Sequence, residues 1–186
     1  MARLLEKYRQ DVIPALRTEL ERDNALALPK LTKIVVSMGL GRAVQESGGK
    51  ARENKRFTEA EEHLATITGQ RPAVMRARKS VSNFKVRQGW AAGLKVTLRG
   101  RRMYEFLDRL VALAIPRVRD FRGLDPSSFD GRGNFGMGLS EYGVFPEINP
   151  DQVTYQQGMN VTICTSARND GEARRLLTML GMPFRS

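Results

Sequence analysis

The chain has 186 residues, 41% of them hydrophobic and 27% charged, with a formal net charge of +11. That length fits one domain with its own core, and that charge makes nucleic acid the first expected partner, ahead of an anionic membrane surface or an acidic protein. No stretch approaches the roughly 20 apolar residues of a membrane span, residues 1–10 do not read as a secretory signal, and the single Cys164 excludes an internal disulfide and points to a reducing, cytoplasmic setting.

Residues 3–22 are predicted to form an N-terminal helix, because Leu4, Leu5, Tyr8, Val12, Leu16 and Leu20 recur at helical spacing. Pro14 is expected to kink or break it. Residues 31–38 read as a strand, Ile34, Val36 and Met38 on one side and Lys33, Val35 and Ser37 on the other. Gly39-Leu40-Gly41 reads as a turn. Residues 52–67 form a second predicted helix, with Phe57, Ala60, Leu64 and Ile67 on its apolar stripe and Gly69 closing it. Pro72 suggests a strand start or an edge. Extended chain is expected over 74–79 and a flexible connection over 80–83. In 94–99, Leu94, Val96 and Leu98 alternate with Lys95, Thr97 and Arg99, giving a strand with one apolar and one basic face. Residues 101–118 carry the clearest helical stripe, from Met103 to Val118. Residues 119–158 read as a loop-rich insertion with short strands at 135–139 and 152–155. A strand at 159–164 and a helix at 172–179 follow.

The sum is a single α+β domain over 1–186. Its economical form is an antiparallel or mixed sheet with helices packed on one face and the other face open for RNA. Lys95, Thr97 and Arg99 fall on the open face, and so does Ser37.

The charge is unevenly placed. Between Glu62 and Glu105 no acidic residue occurs, and this window holds ten of the Lys and Arg, while the flanking regions are nearly balanced. Ordinary solvated surfaces interleave both signs, so this segment is the candidate polyanion contact. Most of its contacts would go to phosphate and sugar. The 23 arginines against 8 lysines suit phosphate recognition, although a GC-rich genome also produces that bias. The densest stretch is Arg76-Ala77-Arg78-Lys79-Ser80-Val81-Ser82-Asn83. Phe84 and Trp90 bracket it. Either ring could stack on a base, but both are expected to be core residues.

Other motifs read as structural. Gly131-Arg132-Gly133-Asn134-Phe135-Gly136 has the letters of a dinucleotide-binding turn, but no apolar strand precedes it and no helix follows, so the glycines are assigned to tight turns. The lone His63 has no partner at metal-ligand spacing. Cys164 reads as packing, and nothing arranges a catalytic triad. No enzyme, cofactor or metal is expected.

Taken together, several strings resemble the bacterial L5 family of large-subunit ribosomal proteins, which bind 5S ribosomal RNA. They are Ile67-Thr68-Gly69-Gln70-Arg71-Pro72, Ala77-Arg78-Lys79-Ser80-Val81, Lys95-Val96-Thr97-Leu98-Arg99-Gly100, Arg117-Val118-Arg119-Asp120-Phe121-Arg122-Gly123-Leu124, Phe129-Asp130-Gly131-Arg132-Gly133-Asn134 and Pro183-Phe184-Arg185. The resemblance covers essentially the whole chain. It implies a place in the central protuberance beside 23S ribosomal RNA and other 5S-binding proteins. It also implies a bridge to a small-subunit head protein, for which the loops within 119–146 are candidates. It implies that Ser37, Gln70 and Thr97 help recognise 5S RNA. Ser37 stands where the family usually has Asn and cannot present an amide's paired donor and acceptor; Met75 replaces a small hydroxyl residue. Lys95, Arg99 and Arg87 are expected to neutralise RNA backbone. The loop containing Arg76, Arg78, Lys79, Ser80, Ser82 and Asn83 is expected to reach transfer RNA in the peptidyl site. One rival is a free regulatory module acting on messenger RNA; another is a nucleotide-dependent enzyme using the Gly-rich loop.

Overall fold

The structure, a computed structural model, describes residues 2–49, 54–149 and 153–185. Its architecture is α+β. A five-stranded antiparallel sheet has the order β2-β3-β1-β5-β4, with β1 at Leu31–Gly39, β2 at Ala73–Arg76, β3 at Ala91–Leu98, β4 at Phe135–Leu139 and β5 at Met159–Thr165. The helices are α1 (Arg3–Lys7), α2 (Ile13–Glu19), α3 (Gly41–Glu46), α4 (Lys55–Thr68), α5 (Gly100–Arg109) and α6 (Asp170–Met179). The chain divides into two compact units. The first comprises Met1–Val35, Leu98–Met137 and Val161–Ser186; the second comprises Val36–Thr97 and Gly138–Asn160.

Strand alternation appears as alternating burial. Ile34, Val36 and Met38 are buried while Lys33, Val35 and Ser37 are half-buried; Leu94, Val96 and Leu98 are buried around half-buried Lys95 and Thr97. Strand β3 begins three residues before the expected start, at Ala91-Ala92-Gly93, where β propensity is low. Close backbone approach explains it, since a Cβ on Gly93 would lie 2.3 Å from the Met38 carbonyl oxygen.

The two proline-containing helices share one solution. Proline lacks an N–H and its ring collides with the carbonyl four residues back. The chain does not stop being helical at Pro14. It widens into a π turn at Tyr8–Val12 and resumes as α2. A second π turn, Leu110–Ala114, follows α5 and again ends two residues before a proline, Pro116. In the first unit α1 lies against α5, with the Arg3 guanidinium 2.6 Å from the Asp108 carboxylate.

Helix ends follow local chemistry. The Asn54 side chain accepts from the Arg56 N–H at the start of α4, and residues 52 and 53 of the expected helix lie outside the described residues. Gly69 closes α4 in a left-handed conformation, φ 65°. Asn169 caps α6 by accepting from the Glu172 N–H, so this helix starts at Asp170 rather than at residue 172. Helix α3 was not legible, because six residues with only Ala43 and Val44 buried carry no helical period.

Of the strand expected at 152–155, residue 152 lies outside the described residues and 153–155 are not strand. The Thr154 and Tyr155 N–H groups instead donate to the Glu59 carboxylate on α4, at 2.8 and 3.4 Å.

Candidate nucleic-acid interface

In the second unit, Lys95 pairs across the strands with Ala73 of the edge strand β2. Gly93 abuts Gly39 of β1. Two residues further along each strand, Lys95 and Ser37 therefore share one face. Thr97 follows Lys95 on that face. Gln70 arrives from α4, turned by left-handed Gly69, and its side-chain N–H donates to the Thr97 carbonyl at 3.4 Å, a long and weak bond. The buried Thr68 hydroxyl braces this corner, 2.7 Å from the Leu64 carbonyl and 3.0 Å from that of Gln70. Ser37, Gln70, Lys95 and Thr97 are all half-buried. Arg99, the exposed residue just past β3, stands at the N-cap position of α5 without a side-chain capping bond and falls in the first unit.

Beyond β2 and β3 the chain does not become a flexible connection. It continues as a hydrogen-bonded hairpin arm. Ala77 N–H donates to the Trp90 carbonyl and Gly89 N–H to the Ala77 carbonyl. Val81 and Val86 exchange both backbone bonds, at 2.9 and 3.2 Å, around the turn Ser82-Asn83-Phe84-Lys85. Lys85 takes positive φ, 48°, to close it. The Ser80 hydroxyl accepts from the Gln88 N–H, and the Arg76 guanidinium donates to the Gly89 carbonyl. Arg76, Arg78, Lys79, Ser80, Ser82 and Asn83 are all exposed on this arm. Arg87 lies on its returning limb, not on the strand face with Lys95.

The two aromatics part company. Trp90 is half-buried, its indole filling the space a side chain at Gly49 would need, and the Arg87 guanidinium lies 5.9 Å from its ring centroid. Phe84 is not a core residue. It is 69% exposed at the arm's tip. It stands in the four-residue turn between Val81 and Val86, a placement that sequence spacing does not reveal.

Few of the cations are neutralised. Among the described residues, Arg71 faces Glu61 at 3.7 Å and Arg101 faces Glu105 at 2.7 Å. No described carboxylate pairs with Arg76, Arg78, Lys79, Lys85, Arg87, Lys95, Arg99 or Arg102. Their charge is available to a polyanion.

The Gly-rich loop is committed elsewhere. The Asp170 carboxylate accepts from the Gly131 and Gly133 N–H groups at 3.0 and 2.8 Å, and Asp130 accepts from the Arg132 and Asn134 N–H groups. Those amides already hold carboxylates, so a phosphate finds no vacant donors here. Hydrogen bonds from Asn134, side chain then backbone, and from the Arg132 amide lower the Asp130 carboxyl below its usual range. Both glycines have positive φ, as tight turns require.

His63 sits with its ring 5.0 Å from that of Tyr142. Tyr142 is pushed up to about 12, first by burial and then by Glu59, which its hydroxyl faces at 3.3 Å. Sequence reasoning missed Glu59 as a loop anchor, because its role depends on segments about 95 residues later.

Two family models match the chain: Ribosomal protein L5 over residues 24–87 and the ribosomal L5P family C-terminus over residues 91–184. Among curated relatives, the large ribosomal subunit protein uL5 of Rubrobacter xylanophilus is 54% identical over 185 residues, covering 100% of this chain and 99% of its own length. The protein of the same name from Thermotoga maritima is 53% identical, covering 98% of this chain and 95% of its own length.

Proposed function

Since the chain belongs to the ribosomal protein L5 family, we propose that it holds 5S ribosomal RNA in the large subunit and that its hairpin arm meets transfer RNA in the peptidyl site. As a family member it is a structural component of the large ribosomal subunit and not an enzyme. The observation that carries the reading is the half-exposed group Ser37, Gln70, Lys95 and Thr97, lying in the same unit as an arm whose cations have no described carboxylate partner.

On this reading Lys95, Arg99 and Arg87 neutralise RNA backbone, while Gln70, Thr97 and Ser37 fix register through polar contacts. Arg76, Arg78, Lys79, Ser80, Ser82 and Asn83 form the transfer RNA contact. Arg87 shares the arm with that loop, so its phosphate can belong to either RNA. Neighbouring 23S RNA and other 5S-binding proteins complete the setting. The loops within 119–146 are the proposed bridge to a small-subunit head protein.

Footprinting of 5S RNA with and without the full-length protein tests the first part. Protection that Lys95→Ala and Thr97→Val reduce is expected; an unchanged cleavage pattern on adding the protein overturns it. For the arm, Arg78→Ala with Lys79→Ala leaves 5S affinity nearly intact and impairs transfer RNA placement. A large fall in 5S affinity would move the arm to the other ligand.

A further inference from the structure

We propose that the Phe84 ring is a stacking platform for an exposed base of the RNA that the arm meets. The proposal deepens the assignment of the arm to transfer RNA and rests on it.

Phe84 is the most exposed aromatic residue among the described residues, at 69%. Leaving a ring in water has a cost in transfer free energy, and this ring occupies a turn where a polar residue would serve the hairpin equally well. Its backbone is fixed on both sides. The Gln45 side-chain amide of α3 donates to the Phe84 carbonyl, and left-handed Lys85 closes the turn behind it. The arm's other aromatic is unavailable, because the Trp90 indole is seated on Gly49 beside the Arg87 guanidinium.

The surroundings choose the occupant. Lys79, Lys85, Arg78 and Arg87 are exposed on the same arm without a described carboxylate partner, and no acidic residue occurs between Glu62 and Glu105. A protein partner would bring apolar surface against one ring on an arm whose cations have no described carboxylate partner. A nucleic acid offers a flat base for the ring and phosphates for the cations at once, the combination that defines aromatic stacking in single-stranded and loop recognition. Gln45 acts as a positioning residue here and Phe84 as the contact.

The test uses large subunits carrying the full-length chain or a variant, with deacylated transfer RNA bound at the peptidyl site and its dissociation rate as readout. Phe84→Leu keeps apolar bulk and removes the π face. Release is expected to accelerate by about 5-fold to about 150-fold, the range for losing one stacked base, and Phe84→Trp restores the parent rate. Suppose Arg78→Ala with Lys79→Ala accelerates release while Phe84→Leu does not. The arm then holds transfer RNA by charge alone, and the stacking proposal is overturned while the arm's assignment stands. If neither variant changes release, the assignment falls and the proposal with it. Loss of 5S RNA or of a neighbouring protein from the Phe84→Leu subunit, at unchanged release, gives the ring a different occupant and also overturns it.

Discussion

Glu172 is a buried carboxylate, 7% exposed, with the Arg22 guanidinium 2.5 Å away. Burial pushes its carboxyl up, but the Arg22 hydrogen bond, the Arg168 N–H and the charges of both arginines outweigh burial, and the group titrates below the usual carboxylate range. Its folded value is depressed, so its stabilisation is fully present above the ordinary carboxylate range and is lost as pH falls through the folded value. Glu172→Gln is therefore expected to lower stability at neutral pH and to flatten its decline below about pH 4.5, measured by urea denaturation across pH. Thr97 is the opposite kind of residue, uncharged and half-exposed. Thr97→Val should weaken 5S RNA binding by about 1 kcal/mol while sparing the fold; an unchanged gel-shift titration would remove Thr97 from the contact. The positions of Ser37, Lys95 and Thr97 were legible because strand alternation needs only a period of two. Gln70 entered only through resemblance, since no periodic signal foretells where a residue past a helix cap will land.

Elements with long periodic faces were readable: β1, the end of β3, α4 and β5 fall within a few residues of expectation, and the helix expected over 101–118 is split into α5, the π turn Leu110–Ala114 and a 3-10 turn at Ile115–Arg117. Elements set by a single contact were not. Strand β3 extends to Ala91 because Gly93 lets the Met38 carbonyl approach. Gly93→Ala should cost roughly 1–3 kcal/mol through that collision, seen as a lower urea midpoint with an unchanged slope; a neutral result would mean the strands separate without penalty. Residues 80–83 read as a flexible connection because Ser and Asn carry no strand signal, yet cross-arm backbone bonds order the arm from Ala77 to Trp90. Phe84 was expected inside by its hydrophobicity, and turn geometry places it outside.

Across the molecule, charge is concentrated rather than spread, and eight of the ten cations in the acid-free window have no described ion-pair partner. About five phosphate contacts would give 5S RNA binding a log K against log salt slope of roughly −3.5 to −4.5. A slope near zero would mean that this charge is not what grips the RNA. The same arrangement leaves the sites nearest an RNA without a neutralising shell of their own. Val81 and Val86 meanwhile close the arm on itself before any ligand arrives. Recognition at its tip then requires no coil-to-hairpin transition, so little conformational entropy is lost on docking. Encounter becomes a rigid-body event whose speed follows diffusion and ionic strength, not the population of a rare conformer, and the Val81 and Val86 amides of the free protein should exchange slowly with deuterated solvent.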